Sequence, residues 1–241
     1  MPRRPFIRKQ KKKRHGANFW DHEYTAPEHL ALSTSPSEDF LKFLRYCERH
    51  QPQLLGADNT ALDLGCGNGR QLAHLHNAYG LSVVGYDISR AAIAQAAELC
   101  ASDRAEFHVR SIAEPLPLAD DSCALVLDMM TSHFLKAGER ARLRDEVYRV
   151  LQPGGMLLMK TFLRDQDLHS ARLLQDYPGP EPFSYIHPVI GVAEYVYSEE
   201  ELRDFLGSHF STERLYRSHK HRLRGKARKR RTITIYAQKS L

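Results

Sequence analysis

The sequence predicts an α/β fold with a largely parallel sheet and helices on both faces. Three observations carry this reading. Between residues 60 and 162, short apolar runs alternate with segments of helical period. The connections are short and marked by Gly, Pro or a capping residue. At 241 residues the chain is long enough for one such sheet to bury its own core without disulfides or metals.

The elements follow in order. Residues 1–16 form a basic arm, and residues 17–34 are mixed, with Trp20 the only tryptophan. Ser35, Pro36 and Glu38 read as a capping box opening a helix whose Phe40, Leu41, Leu44 and Cys47 recur at helical spacing. TALDLG is a buried strand, NGRQLAHLHNAYG a helix stopped by Gly80, and LSVVGYD a second strand. Ser89 to Cys100 is an Ala-rich helix, AEFHVRSI the third strand and CALVLDMM the fourth. ERARLRDEVYRVL is a helix with Leu143, Val147, Val150 and Leu151 on one face, and QPGG turns it into the strand MLLMKTF. Residues 163–197 read as irregular, and Ser198 with Glu201 forms a capping box for a helix through Phe205. STERLYRS and RTITIYAQ are final strands with no helix between them, which implies antiparallel pairing. The division expected is a flexible arm (1–16) and a single domain (17–241), with a core at 35–162 and a substrate-side segment at 163–241.

Charge is segregated. Residues 1–15 hold 8 Lys and Arg and residues 214–231 hold 10, with no acid in either, which leaves 17 bases against all 29 acids and a body of net charge −12. Such asymmetry points to a polyanionic partner or an address signal. Cys47, Cys66, Cys100 and Cys123 are isolated, with neither metal-ligand nor disulfide spacing, so a reducing, cytoplasmic setting is expected. The arm at 3–14 also resembles a nuclear import signal. No apolar run approaches the ~18–20 residues of a membrane span, and no signal peptide is expected.

The chemistry concentrates at LDLGCGNGR, residues 62–70, where the first strand meets the first helix of the alternating series. Gly65, Gly67 and Gly69 permit a sharp turn and close ligand approach, and the helix start presents free N–H groups. The spacing is GxGxG, not the GxGxxG that holds a pyrophosphate, and Asp63 would repel a phosphate but suit a cation. Asp87 ends the second strand, where an acid receives a ribose diol. A ligand with a ribose and a positive centre but no phosphate satisfies both.

At this point the sequence resembles the class I, Rossmann-like S-adenosylmethionine-dependent methyltransferases. The resemblance rests on LDLGCGNGR, on YDIS (86–89), on EPLPLADDSCALVLDMMTSHFL (114–135) and on RVLQPGGMLLMK (149–160), in the family's order. It implies a seven-stranded sheet of order 3-2-1-4-5-7-6 with only the last strand antiparallel, and S-adenosyl-L-methionine as cofactor. It places Asp63, Gly65, Cys66, Gly67, Asn68 and Gly69 around the methionine end, Asp87 on the ribose, Ile88 on the adenine, and Ser111 and Ile112 by the adenine edge. The chain departs from the family at Ile112, where an acid is frequent, and at Cys123-Ala124, where Phe-Asp is frequent. Asp128 would face the methyl group from the end of the fourth strand. Trp20 and Tyr24 would form a lid over the cofactor or else pack in the core.

Methyl transfer asks mainly for in-line positioning and desolvation, with a base only where the acceptor must lose a proton. The candidates are Asp128, His133, His187, His219 and His221 for catalysis. For substrate binding they are Tyr185, His187, Lys220, Arg222, Arg224, Lys226, Arg228, Lys229 and Arg230. Each has a plainer alternative as a packed or solvated residue, and neutral imidazoles around a pocket are a simpler reading of the four histidines than a metal centre. Under the implied topology, the run 218–231 joins the sixth and seventh strands at the ligand face. That expectation favours RNA or a ribonucleoprotein as substrate, held through segments 3–14 and 214–231. The alternatives are a small-molecule or protein methyltransferase, and a non-catalytic cofactor-binding module that associates with RNA. DMMT after the fourth strand argues against amino-methylation of adenine by the Asn/Asp-Pro-Pro-aromatic arrangement.

Overall fold

A computed structural model describes residues 16–218, 222–223, 226–227 and 229–240, with backbone alone at 222–223 and 226–227. The N-terminal portion opens with two helices, α1 (Ala17–Thr25) and α2 (Glu38–His50). The alternating series then runs β1 (Thr60–Leu64), α3 (Arg70–Tyr79), β2 (Ser82–Asp87), α4 (Arg90–Leu99), β3 (Ala105–Val109), β4 (Cys123–Met129), α5 (Ala137–Val150) and β5 (Leu151–Phe162). Beyond it come α6 (Leu168–Asp176), a hairpin of β6 (Ser184–Ile186) and β7 (Ala193–Tyr195), then α7 (Glu199–Gly207) and β8 (Phe210–Arg217). A two-residue ribbon, β9 (Arg222–Leu223) with β10 (Lys226–Ala227), precedes β11 (Thr232–Lys239).

The sheet order is β3-β2-β1-β4-β5-β11-β8. β1, β2, β3, β4 and β5 pair in parallel, and β11 runs antiparallel to both neighbours. This is the sheet the sequence resemblance implies. Two apolar layers sandwich it. Leu62, Val126 and Leu157 pack on one face under α5 and α7, and Leu125, Leu127 and Leu158 on the other under α2 and α3. Each fully buried leucine of this kind contributes about 1.5–3 kcal/mol.

Local signals account for most boundaries. Ser89 accepts from Ala92 N to start α4, Ser198 and Glu201 cap α7 reciprocally, and Gly80 stops α3 at φ 74°. Two expectations are corrected. The cap of α2 is Ser37, whose hydroxyl accepts from Phe40 N, so the helix starts after the Ser35-Pro36 pair. Segment 163–197 is not irregular. It folds as α6 and the β6–β7 hairpin, because Asp167 caps α6 and the aromatic strands bury Tyr185, Tyr195 and Tyr197 against the domain.

β8 enters the carboxyl edge of the sheet and β11 leaves it, since Ile233 pairs with Arg217 and Thr232 with Phe162 at the end of β5. The junctions of the basic run therefore lie at that edge. His219, Lys220, His221, Arg224 and Arg228 fall outside the described residues, as do 1–15 of the arm, and only the backbone of Arg222 and Lys226 is described. Among the described residues no helix is long and apolar enough to cross a membrane.

Candidate cofactor and acceptor site

The glycine turn between β1 and α3 is tied to the end of β2. Gly65 N and Cys66 N donate to Tyr86 O, and Gly67 N donates to Asp87 Oδ2 at 3.0 Å. All three glycines have positive φ, where L side chains are strained. What approaches them is the protein's own structure. A Cβ at Gly65 would collide with Thr131, one at Gly67 with the Tyr24 hydroxyl, and one at Gly69 with Ala96 and Phe107. Gly69 thus serves helix–strand packing. The Cys66 side chain packs in the core near Gly85, leaving only its backbone to the loop. Asn68 donates from Nδ2 to Ser33 O and holds the segment before α2.

Three acids gather here. Asp63 and Asp128 are buried and Asp87 largely so. Burial first, then Asp87 and Asp128 as like charges, push the Asp63 carboxyl up to about 8, against the pull of Arg70. Burial also raises Asp128 and Asp87, although Asp128 Oδ1 accepts from Ser132 N at 3.0 Å and Asp87 Oδ1 accepts from Ser89 N at 2.9 Å. A carboxyl crowded by carboxylates that Arg70 does not offset is the environment a sulfonium or ammonium group would relieve. The donor set therefore fits S-adenosylmethionine.

Where the sequence resemblance expects the adenine, a surface recess is lined by Ile88, Ser111, Arg110 and Glu114. The Ile112 side chain instead packs in the core with Tyr86 and Leu116, so any contact to a base there falls to the backbone. Ser111 Oγ accepts from Ala113 N and shapes that turn.

α1 covers the glycine loop. Asp21 Oδ1 accepts from Ser89 Oγ at 2.8 Å and Ala91 N at 3.2 Å, at the start of α4, and Gln95 donates to Tyr24 O. Burial and the nearby Asp87 and Asp63 raise the Tyr24 phenol well above its ordinary value. Trp20 sits beside Phe134, with ring centroids 5.5 Å apart. Tyr24 therefore lies over the glycine turn, and Trp20 lies beside Phe134.

Beyond β4, the backbone turns through Met130 at φ 67° into a short 3-10 turn, Ser132–Phe134. His133 is 1% exposed, and neither ring nitrogen has a hydrogen-bond partner. Burial lowers its pKa to about 4, with Glu194 favouring the charged ring and Arg230 and Arg140 opposing it, so the ring is neutral at pH 7. It packs on Phe134 (4.2 Å) and Phe162 (5.1 Å).

The hairpin completes the wall. Glu194, 2% exposed, accepts from the Tyr185 hydroxyl and from Arg230 Nη1 at 2.7 Å. Burial works to raise this carboxyl, and Arg230, His133 and Tyr185 together outweigh it and hold it below the usual range. His187 Nδ1 accepts from Val189 N and Ile190 N, which leaves Nε2 facing Glu194 at 4.0 Å. Nδ1 is committed to the turn, so Nε2 is the ring position available for chemistry. Arg230 stacks on Phe162 at 3.2 Å.

Of the residues named from sequence, Asp63, Asp87, Asp128, Gly65 and Gly67 come together at one end of this region, and His133, Tyr185, His187 and Arg230 at the other. Arg230 turns inward to an acid, so it does not form a solvent-facing clamp. Sequence reasoning missed Asp21, Phe162 and Glu194. The last had a readable signal, a lone acid within the apolar GVAEYVY.

Residues 61–155 match the family model of the methyltransferase domain. The dimycocerosates methyltransferase of Mycobacterium ulcerans that acts on phthiotriol and phenolphthiotriol is 32% identical over 142 residues, 58% of this chain and 50% of that one. The 23S rRNA (guanine(748)-N(1))-methyltransferase of Streptomyces fradiae is 32% identical over 49% of this chain and 38% of its own length. The chain thus spans half or less of these curated relatives. A solved S-adenosylmethionine-dependent methyltransferase from Methanosarcina mazei is 28% identical, covering 79% of this chain and 96% of that one at a TM-score of 0.65. Over residues 61–155 the chain carries a methyltransferase domain, and sequence and fold place that domain with the S-adenosylmethionine-dependent methyltransferases, whose cofactor is S-adenosylmethionine.

Proposed function

We propose that the protein moves a methyl group from S-adenosylmethionine to an acceptor seated at the carboxyl edge of the sheet, between Asp128 and the β6–β7 hairpin. The observation that carries this reading is the three-carboxylate end of the site, short of a cation, adjoining a buried neutral His133 with both ring nitrogens unpaired. When bound, the cofactor supplies an already electrophilic methyl group. The chain's own residues do the rest. Asp63 and Asp87 hold the charge and the ribose, while Asp128 fixes the Ser132 amide and so the position of His133. α1 and Tyr24 exclude water. A neutral His133 nitrogen accepts a hydrogen bond from the acceptor's O–H or N–H and can take its proton.

A second reading, RNA or a ribonucleoprotein as the acceptor, draws support from charge segregation and from the junctions of the basic run lying at the same edge. The relative acting on 23S rRNA is compatible with it, as the lipid-directed relative is with the first.

The test is incubation with methyl-labelled cofactor and a cell lysate fractionated into RNA, protein and small molecules. Label in one fraction, lost with Asp63→Ala, is the expected result. Binding of NAD(H) with no affinity for S-adenosylmethionine and no label transfer would overturn the assignment.

A further inference from the structure

Arg230 has a spare edge. Its Nη1 is given to Glu194, but Nε and Nη2 are buried and make no hydrogen bond. These two N–H groups lie parallel on one side of the guanidinium, the arrangement that receives both oxygens of a carboxylate. Buried donors left unpaired cost ~1–3 kcal/mol each, so their retention calls for an explanation. Two other cations near the carboxyl edge behave differently. Arg217 is spent on Glu199, and Arg231, whose Nη1 goes to Asp165 O and Gln166 Oε1, leaves Nε buried and unpaired but no buried unpaired Nη beside it.

The surroundings restrict what can occupy that edge. Arg230 stands over Phe162 at 3.2 Å and within 5.2 Å of the Tyr185 ring centroid. His133 packs against the same Phe162 and against Phe134, and Trp20 lies beyond Phe134. The row of rings favours a flat ligand. Glu194 takes one N–H of the guanidinium and offsets its charge, so the remaining edge selects by hydrogen-bond geometry, and a highly charged backbone is disfavoured beside that buried carboxylate. His133, uncharged, offers one donor and one acceptor to a polar group beside the carboxylate.

We infer that the Nε–Nη2 edge of Arg230, backed by Phe162 and His133, binds the carboxylate of a small planar organic acid that serves as the methyl acceptor. This rests on the methyltransferase reading, and it names the acceptor's chemical class. It is an inference separate from RNA binding, which needs phosphate contacts on an open surface.

The test uses the full chain with benzoate as probe, benzamide as its uncharged shape mimic, and inorganic phosphate and a short single-stranded RNA as rival anions. Binding is followed by calorimetry, and the fluorescence of Trp20, the only tryptophan, reports locally. S-adenosylmethionine binding is measured separately by thermal shift. The expected result is that benzoate binds and perturbs Trp20 while benzamide does not. Arg230→Lys, which keeps a charge for Glu194 and so protects folding, should weaken benzoate roughly tenfold, about 1.4 kcal/mol, and leave cofactor binding intact. Equal binding of benzamide, unchanged benzoate affinity in the Lys variant, no benzoate binding, or phosphate or RNA taking the Arg230-dependent site would each overturn it. Loss of cofactor binding in the unmodified protein would instead count against the methyltransferase reading.

Discussion

Asp63 shows how a single residue can serve the ligand at the expense of the apo protein. Its folded pKa, about 8, lies above the ordinary carboxyl value, so the folded protein holds a proton the unfolded chain releases. The stability this contributes is present below the unfolded pKa near 4 and is lost as pH rises towards 8. Asp63→Asn should therefore raise the melting temperature of the apo protein at pH 8 while weakening S-adenosylmethionine at least tenfold, ~1.4 kcal/mol. In the unmodified protein, cofactor affinity should climb with pH between 6 and 8 and then level off, because a cation is best received by the ionised carboxyl. A flat titration profile would show that Asp63 does not meet the positive charge. At this scale the sequence was legible where spacing decides the outcome, as at Asp63, Asp87 and the glycines. It was not legible where the direction of a side chain decides, as at Cys66 and Ile112, which turn into the core.

Elements place these residues, and α1 shows how. Its residues carry no strong amphipathic pattern, and its cap, Gly16, makes no side-chain bond. Docking holds it: Asp21 bonds to the start of α4, and buried Glu23 accepts from His29 N, Leu30 N and His29 Nδ1. An acid at a helix N-terminus meets free amides and the positive end of the dipole. Asp21→Ala should cost about 1 kcal/mol in global stability. Its larger effect should be local, with faster amide exchange and proteolysis across 17–30 and an altered Trp20 spectrum. If exchange there is unchanged, α1 is held by other contacts. The short helical segment was invisible to periodicity because its stability comes from tertiary partners.

For the whole molecule, charge and topology meet at the carboxyl edge. The basic run joins β8 to β11, and the chain outside the two basic segments carries −12. If RNA is the acceptor, log affinity should fall linearly with log salt, with a slope of roughly −0.7 per phosphate contacted. Replacing Lys220, Arg222, Arg224 and Lys226 by Gln should flatten that slope and spare cofactor binding. Arg230 and Arg231 are left alone, since removing their charges would break contacts to Glu194 and Gln166 and confuse folding with binding. RNA affinity that ignores the substitution would dismiss that reading.

The sheet, its strand order through the family resemblance, and the gathering of Asp63, Asp87 and the glycines at one turn were legible in the chain alone. Those depend on local period, on turn residues and on a motif within one strand–turn–helix unit. The tertiary structure decided the acceptor end. His133, Phe162, Tyr185, Glu194 and Arg230 lie on five separate segments, and no spacing rule relates them. It also turned Arg230 from one charge among eight in a run into an inward cation paired with Glu194. The physical reason is burial: a charge taken out of water must find its partner in space, and here that partner is 36 residues away in the chain.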